Sequence, residues 1–302
     1  MAPTDYQSLI DAPTWAFIAR TNACYPDDSA SRSVADQRKI YDAMARSFHL
    51  GYPPGITAGD ETIGGVPCRI YPGTLPTVVY LHGGGFILGG LHSHDDVCAE
   101  ICARTGFQVI SVDYRLAPEH PHPAAYEDAL SVTRAIAAAG PYVLAGDSAG
   151  GNLAAAVAHA LRSVAPALGL VLIYAGLGGN SNQGSYQTHA NAPMLTQADV
   201  QFYAQIRHRT GHVADDDPTA SPLQATDFAG LPPTIAFSAE CDPVADDGRA
   251  YCARITAAGG RATWHLEPGL VHGYLRARQM VPRAAQSFDR IIAAISTLGA
   301  TP

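Results

Sequence analysis

The sequence predicts an α/β protein with a mostly parallel central sheet flanked by helices. Short apolar runs without polar alternation are typical of strands that are covered on both faces. These runs are Val78–Leu81, Val109–Val112, Tyr142–Ala145, Leu168–Tyr174 and Thr234–Phe237. Longer segments with helical spacing lie between or after them. These segments are Ala124–Ala139, Ala149–Val164, Ala245–Ala258 and Ala284–Leu298. Strands that alternate with helices indicate a parallel sheet.

Composition excludes several classes of protein. The chain has 302 residues, a formal net charge of -8 and no block of Lys or Arg. Nucleic-acid binding needs a clustered basic surface, so that class is excluded. A hydrophobic content of 47% with 15% charged residues excludes a disordered chain. The sequence shows neither a secretory leader nor an apolar run of about 20 residues, so we expect a cytoplasmic protein without membrane contact.

Two segments depart from the alternation of strands and helices, and each contains a predicted helix. Ser33 and Asp36 form a capping-box pattern before an apolar stripe of helical period near the start of the chain. Thr196 and Asp199 form a second cap, and we expect that helix to end near Gly211. Both helices are expected to lie outside the central sheet.

The predicted domain organisation follows from these two segments. We expect a helical cap above a single catalytic domain. The units are residues 1–50, N-terminal helices that contribute to the cap; residues 51–176 and 223–302, the catalytic domain; and residues 177–222, the cap insertion.

A candidate nucleophile lies in Gly146–Gly150, which directly follows the apolar run Tyr142–Ala145. This stretch has the spacing Gly-x-Ser-x-Gly with Ser148 at its centre and a helical pattern after it. Small residues two positions on either side allow the sharp turn that exposes a serine hydroxyl above a sheet edge. The alternative is an ordinary glycine turn at the start of a helix.

A second glycine motif, His82–Gly85, ends the first predicted strand. Consecutive glycines leave backbone N–H groups open to an oxyanion, where they would complement the N–H of Ala149. A flexible loop and a phosphate cradle are the alternatives. A phosphate loop of the Walker type would continue with Gly-Lys-Ser/Thr, whereas Phe86–Leu88 follows here and suits an apolar pocket wall.

A serine nucleophile needs a base and an acid that orients the base. Asp242 follows the run Thr234–Phe237 at the expected end of a strand. Asp246 and Asp247 compete for the acid role, but they fit better in the first turn of the next helix, where acids favour the helix dipole. The same capping role is the alternative for Asp242.

His272 is the predicted base, because it lies in a loop between the strand Thr263–Leu266 and the last helix. His265 is its nearest rival but falls inside the strand pattern. Four other histidines precede the nucleophile and could suggest a metal site. They are His92, His94, His120 and His122. Neither a His-Glu-x-x-His helix nor a spaced carboxylate accompanies them, so we predict no metal.

Five motifs in this order resemble the bacterial hormone-sensitive-lipase-like branch of the α/β-hydrolases. They are His82–Phe86, Asp113–Glu119, Gly146–Asn152, Cys241–Pro243 and His272–Tyr274. The likeness runs from about Thr57 to Ile295. The resemblance implies the α/β-hydrolase fold with a helical cap and an enzyme that uses no cofactor. The tract Asp113–Glu119 is interpreted as structural.

The resemblance also implies roles for individual residues. Ser148 would be the nucleophile, His272 the base and Asp242 the orienting acid. The oxyanion hole would be formed by Gly84, Gly85 and Ala149.

We therefore expect a serine carboxylesterase that hydrolyses small-molecule esters with short acyl chains through an acyl-enzyme. An amidase or acyltransferase that uses the same triad is the alternative. A ligand-binding receptor, similar to the plant gibberellin receptors, is less favoured because those proteins lack the histidine that His272 supplies here. The sequence leaves the oligomeric state open, with a homodimer among the options.

Overall fold

The structure, a computed structural model, describes residues 4–208 and 216–300 and contains one eight-stranded sheet. Its strands are β1 (Gly59–Ile63), β2 (Val66–Tyr71), β3 (Thr74–Leu81), β4 (Phe107–Val112), β5 (Tyr142–Asp147), β6 (Gly169–Ile173), β7 (Thr234–Cys241) and β8 (Ala262–Val271). Their order in the sheet is β1-β2-β4-β3-β5-β6-β7-β8. The pairs β1/β2 and β2/β4 are antiparallel and all other pairs are parallel. The predicted mostly parallel α/β sheet is confirmed.

The helices lie on both faces of this sheet and before it in the chain. They are α1 (Tyr6–Leu9), α2 (Ala12–Asn22), α3 (Val34–Phe48), α4 (Asp95–Thr105), α5 (Ala124–Ala139), α6 (Ala149–Leu161), α7 (Ser185–Thr188), α8 (Gln197–His208), α9 (Ala245–Ala257) and α10 (Pro282–Gly299). Short 3₁₀ helices cover Ser29–Ser31, Pro222–Gln224 and Tyr274–Gln279. Among the described helices, none combines the length and the apolar character that crossing a membrane requires.

Successive residues of the central strands enter two separate cores. In β3, Val78 and Tyr80 pack with α4, α10 and the N-terminal helices, whereas Val79 and Leu81 pack with α5, α6 and α9. All four side chains are fully buried. Because successive strand residues point to opposite faces, a strand covered on both faces must be apolar throughout. This explains the uninterrupted apolar runs of the sequence.

The edge strand β1 and its neighbour β2 were not predicted from their composition. The residues of β1 are mostly exposed, so it has no apolar run. A hairpin signal is nevertheless present, because Gly64 and Gly65 separate the paired residues Ile63 and Val66. Their φ angles of 59° and 85° are the left-handed values that a two-residue hairpin turn requires. The Gly-Gly dipeptide is the feature that identifies this hairpin.

Both predicted capping boxes are present. The backbone N–H of Asp36 donates to Ser33 Oγ at 3.2 Å, at the start of α3. The N–H of Asp199 donates to Thr196 Oγ1 at 3.1 Å, and the N–H of Thr196 donates to the Asp199 carboxylate at 2.8 Å. The helix α8 is described to His208, and its predicted end near Gly211 lies outside the described residues.

Candidate active site

Ser148 occupies a strained turn between β5 and α6. Its φ of 52° is left-handed, which is unusual for a residue with a side chain. The glycines around it are required by close packing: a β-carbon at Gly150 would lie 1.9 Å from the Leu81 carbonyl oxygen, and one at Gly146 would lie 2.5 Å from the backbone of Gly150. The turn therefore has the geometry that the Gly-x-Ser-x-Gly spacing predicts.

Three predicted residues meet at the carboxyl edge of the sheet. Ser148, Asp242 and His272 each directly follow the last residue of a strand, namely β5, β7 and β8. The Oγ of Ser148 lies 2.8 Å from His272 Nε2, and His272 Nδ1 lies 2.7 Å from the Asp242 carboxylate. Parallel strands place their carboxyl ends at one edge, which is why residues far apart in sequence converge here.

The Asp242 carboxylate is fully buried and is oriented by two contacts. One oxygen receives the hydrogen bond with His272, and the other accepts the backbone N–H of Val244 at 3.0 Å. These contacts hold the carboxylate toward Nδ1 of the imidazole, which leaves Nε2 to face the serine.

The alternative candidates for the acid and the base make other contacts. Asp246 and Asp247 occupy the first turn of α9, as the sequence predicts. Asp246 accepts the backbone N–H of Ser185 at 2.8 Å. His265 lies in β8 and stacks on Phe237 with ring centroids 5.0 Å apart. None of the three has a described contact with His272.

The backbone N–H groups of the glycine loop are of two kinds: one is bound to a carboxylate, and the others are free. The N–H of Gly83 donates to the Asp147 carboxylate at 2.9 Å and is therefore occupied. Within the described residues, the N–H groups of Gly84, Gly85 and Ala149 have no hydrogen-bond acceptor. These three residues line the same cavity as Ser148. The loop thus leaves free the donors that the sequence predicts for an oxyanion.

Asp147, which the sequence analysis did not single out, anchors this loop. Its buried carboxylate accepts hydrogen bonds from Tyr80 Oη at 2.9 Å, Gly83 N at 2.9 Å and Tyr174 Oη at 3.3 Å, and it lies 3.2 Å from His94 Nε2. Burial raises the pKa of Asp147, but His94, the positive charge of Arg276 and the phenol of Tyr80 outweigh it, so the pKa lies below the ordinary value. Asp147, the residue before Ser148 in the sequence, is therefore an ionised group held in one position. Its position in the motif was visible in the sequence, but its partners were not.

The remaining histidines are dispersed rather than clustered. His92 pairs with Asp42 at 2.6 Å, and His122 pairs with Asp217 at 2.9 Å. His82 is buried against Tyr114, and burial lowers the pKa of His82 to about 3, so its ring is neutral. Across residues 4–208 and 216–300, no three His, Cys, Asp or Glu side chains group closely enough to hold a metal ion.

The tract Asp113–Glu119 makes structural contacts, as interpreted from the sequence. Arg115 forms an ion pair with Asp128 at 2.7 Å. Glu119 pairs with Arg38 of α3 at 2.7 Å. Neither contact reaches Ser148.

A cavity of about 420 Å³ extends from Ser148 and His272. Residues of α2 and α3, such as Asn22 and Met44, form part of its wall. Residues of the segment 177–222 form another part, among them Met194 and Tyr203. Both segments predicted to lie outside the sheet therefore border the space in front of the serine.

Arg207 is a cavity residue that the sequence analysis missed. Its guanidinium lies 3.6 Å from the ring centroid of Phe86 and donates to the Ala220 carbonyl at 3.0 Å and to Asn152 Oδ1 at 3.3 Å. Burial lowers the pKa of Arg207 to about 9. These contacts tie α8 to the glycine loop and to α6. No local signal marks them, since every partner is distant in sequence.

Comparisons with known proteins agree with this geometry. The family model described as "alpha/beta hydrolase fold" matches residues 78–276. The chain is 34% identical to the carboxylesterase NlhH of Mycobacterium tuberculosis over 84% of this chain and 88% of that protein. It is 32% identical to the acetyl esterase of Salmonella typhi, over 85% and 84% of the two chains.

A solved structure gives the same result. An alpha/beta hydrolase enzyme from the metagenome of Lake Arreo, Spain, is 30% identical, with a TM-score of 0.87 over 98% of this chain and all of that one. The fold, the order of the motifs and the sequence identities all indicate one family. The chain belongs to the α/β-hydrolase family, in the hormone-sensitive-lipase-like branch that its motifs resemble.

Proposed function

We propose that this protein is a serine carboxylesterase that hydrolyses short-chain acyl esters through an acyl-enzyme. The observation that carries the proposal is the continuous chain of hydrogen bonds from Asp242 through His272 to Ser148, with distances of 2.7 and 2.8 Å. This arrangement can both activate a hydroxyl and return its proton, which is the chemistry that ester hydrolysis requires.

In the acylation step, Ser148 Oγ attacks the ester carbonyl while His272 Nε2 takes the hydroxyl proton. The buried Asp242 carboxylate holds the imidazole and stabilises the positive charge that it gains. The N–H groups of Gly84, Gly85 and Ala149 would bind the oxyanion that develops on the carbonyl oxygen. His272 then protonates the departing alcohol as the carbon–oxygen bond of the ester breaks.

In the deacylation step, water attacks the acyl-enzyme while His272 Nε2 accepts its proton. The tetrahedral intermediate uses the same backbone donors, and Ser148 leaves with the proton that the imidazole returns. The products are a carboxylic acid and the regenerated serine.

The first test removes the nucleophile. Ser148→Ala should lower kcat/KM for p-nitrophenyl acetate by about 10⁴-fold or more, because no acyl-enzyme can form. Ser131→Ala, in which a serine outside the cavity loses its hydroxyl, is the matched control and should keep the parent rate. A fluorophosphonate probe should label the parent protein and not Ser148→Ala. Hydrolysis at the parent rate by Ser148→Ala would refute the assignment.

We also propose that residues 1–50 and 177–222 act as a cap that limits the acyl chain. The support is that α2, α3 and α8 contribute side chains to a cavity of about 420 Å³. Two arginines hold the first segment in place. Arg20 of α2 donates to the Ser47 carbonyl of α3, and Arg38 of α3 donates to the Ile87 carbonyl of the predicted catalytic domain at 2.8 Å. The acetyl esterase among the relatives is named for a short acyl group.

An acyl-length series tests the cap proposal. We expect kcat/KM for p-nitrophenyl esters to be highest for acetate to butyrate and to fall at least tenfold by laurate, because the proposed cap would exclude the longer chain. Laurate hydrolysed as fast as butyrate would contradict this expectation. A cytoplasmic location and a homodimer stay predictions, which cell fractionation and light scattering would test.

A further inference from the structure

The part of the cavity next to His272 carries hydrogen-bond donors and a positive charge that the proposed esterase mechanism does not use. Arg276 lies four residues after His272, in the 3₁₀ helix Tyr274–Gln279. Arg276, Tyr25 and Tyr41 all line the cavity that contains Ser148. We call these three residues the arginine pole of the cavity.

The guanidinium of Arg276 has unused donor groups. Its Nη2 donates to Tyr41 Oη, and the group lies 4.9 Å from the centroid of the Tyr41 ring. Its Nε is buried and has no hydrogen-bond partner among the described residues. Its Nη1 lies 3.7 Å from the position that a β-carbon would take at Gly273, the residue after His272. No acceptor for Nη1 occurs in the described part of the chain.

The positive charge of Arg276 also lacks an ion-pair partner. Arginine stays protonated in proteins, and buried charges are normally paired. In residues 4–208 and 216–300, no carboxylate oxygen lies within 4.0 Å of Arg276. The two acids that line the cavity have other hydrogen-bond partners, and the charge of Asp147 acts on Arg276 only from beyond 4.0 Å. Asp147 accepts the hydrogen bonds that hold the glycine loop, and Asp199 caps α8 through Thr196.

Tyr25 adds a neutral donor to this pole. Its hydroxyl has no hydrogen-bond partner within the described ranges. Burial raises the pKa of Tyr25, so the phenol stays protonated at neutral pH. An arginine with free donors beside a free phenol, and no opposing acid in contact, matches the binding requirements of a carboxylate.

We propose that the arginine pole binds a carboxylate that the substrate carries in addition to its ester group. The inference rests on the proposed ester hydrolysis at Ser148 and specifies its substrate class. Two sources of the carboxylate share this chemistry: the acyl part, as in a half-ester of a dicarboxylic acid, or the alcohol part, as in an acylated hydroxy acid. The reaction remains hydrolysis, in which water is added and the ester carbon–oxygen bond is broken.

Pairs of charged and neutral esters of similar shape test this proposal with the parent protein. The acyl arm compares p-nitrophenyl hemisuccinate with p-nitrophenyl 4-oxopentanoate. The alcohol arm compares 3-acetoxypropanoate with its neutral methyl-ketone analogue, 4-acetoxybutan-2-one, and the release of acetate is measured. We expect kcat/KM for the charged ester to equal or exceed that for the neutral ester in one arm, which identifies the source of the carboxylate. A charged ester that is poorer than its neutral partner in both arms overturns the proposal without any variant.

Variants then assign the preference to Arg276. Arg276→Gln should lower the charged-to-neutral ratio of kcat/KM at least tenfold, because a hydrogen bond between charged groups is lost. Arg276→Lys should recover part of the ratio, since the charge returns without the planar fork. Arg249→Gln is the control for net charge: this exposed α9 residue pairs with Asp246 outside the cavity, and its loss should leave the ratio unchanged.

The readouts separate this inference from the proposed function. If Arg276→Gln lowers both members of a pair equally, Arg276 merely supports Tyr41 and α3, and the inference is wrong. If the parent protein hydrolyses neither p-nitrophenyl acetate nor any ester pair and Ser148 is not labelled by fluorophosphonate, the proposed function itself fails. Normal acetate hydrolysis without a charge preference that depends on Arg276 overturns the inference alone.

Discussion

The carboxyl edge of the sheet and the proposed cap are built by different kinds of contact. At the sheet edge, Ser148, Asp242 and His272 directly follow the strands β5, β7 and β8, which belong to one continuous run of paired backbones through β6. The cap segments are instead attached by apolar packing of helices such as α3 and by individual hydrogen bonds, such as Arg38 on the Ile87 carbonyl and Arg207 on Asn152. Regular backbone pairing places the catalytic groups, whereas individual long-range hydrogen bonds place the walls of the cavity.

The two kinds of contact indicate where variation in substrate specificity can arise. Displacing a strand end disturbs the sheet and the hydrogen-bonded residues together. Changing one side chain of the cap alters one wall of the cavity and leaves the strands intact. We therefore expect substitutions at the sheet edge to act on the chemical step, and substitutions in the cap to act on substrate choice or stability.

A substitution in the glycine loop tests the sheet edge and has the larger expected effect. Gly84 has a φ of 138°, and a β-carbon there would lie 2.1 Å from the Leu88 carbonyl oxygen. Gly84→Ala should shift the loop and lower kcat by about 10²–10³-fold, the loss expected for one oxyanion donor. The measurement is steady-state hydrolysis of p-nitrophenyl acetate.

Gly55→Ala is the matched control for this substitution. Gly55 also has a positive φ, of 82°, but nothing lies within 4 Å of the added β-carbon. Its cost should be limited to about 1 kcal/mol of folding stability, with kcat unchanged. Equal kcat values for Gly84→Ala and the parent protein would show that the close packing of this loop does not matter for catalysis.

A substitution of Asp247, the buried acid that holds the start of the segment 177–222, has a smaller expected effect than Gly84→Ala. It acts on folding stability rather than on kcat. The Asp247 carboxylate accepts hydrogen bonds from Leu177 N at 2.6 Å, Gly179 N at 3.3 Å and Tyr186 Oη at 3.1 Å. Burial raises the pKa of Asp247 to about 7, and the negative charge of Asp242 acts in the same direction.

The sign of the pH dependence follows from this shift. Between about pH 4 and pH 7 the folded protein binds a proton at Asp247 that the unfolded chain has lost, so this group makes the free energy of unfolding fall as pH rises. Buried histidines with a lowered pKa, such as His82, act in the opposite direction below about pH 6.5, so the slope due to Asp247 is the difference between the parent protein and Asp247→Asn. The slope should be at most about 1.4 kcal/mol per pH unit and should end above pH 7. Asp247→Asn should remove it, because the amide does not titrate. Urea unfolding at several pH values measures this slope.

Asp246→Asn is the control, since Asp246 is the neighbouring acid in α9 and is partly exposed. It should keep the parent slope. Identical slopes for the parent protein and Asp247→Asn would mean that the acid stays ionised in the fold and contributes no pH dependence in this range.

Local sequence patterns were sufficient for the strands β3 to β8, for several helices and for choosing the candidate triad. The helix predicted over Ala124–Ala139 has those bounds in the structure, because its apolar spacing stops where Gly140 begins the next connection. Ser148, Asp242 and His272 could be chosen because each follows an apolar run or strand pattern. The strand β1 escaped notice because its polar residues face solvent.

The order of strands and helices, the strained serine turn and the residue types that follow each strand could be predicted from local patterns, because they depend on the spacing of a few residues. Tertiary packing determines which donors remain unoccupied around Ser148. The hydrogen bond between Gly83 and Asp147, the contacts of Arg207 and the free Nε of Arg276 all depend on residues from separate elements. Such contacts depend on how whole helices and strands pack, and no local pattern encodes them.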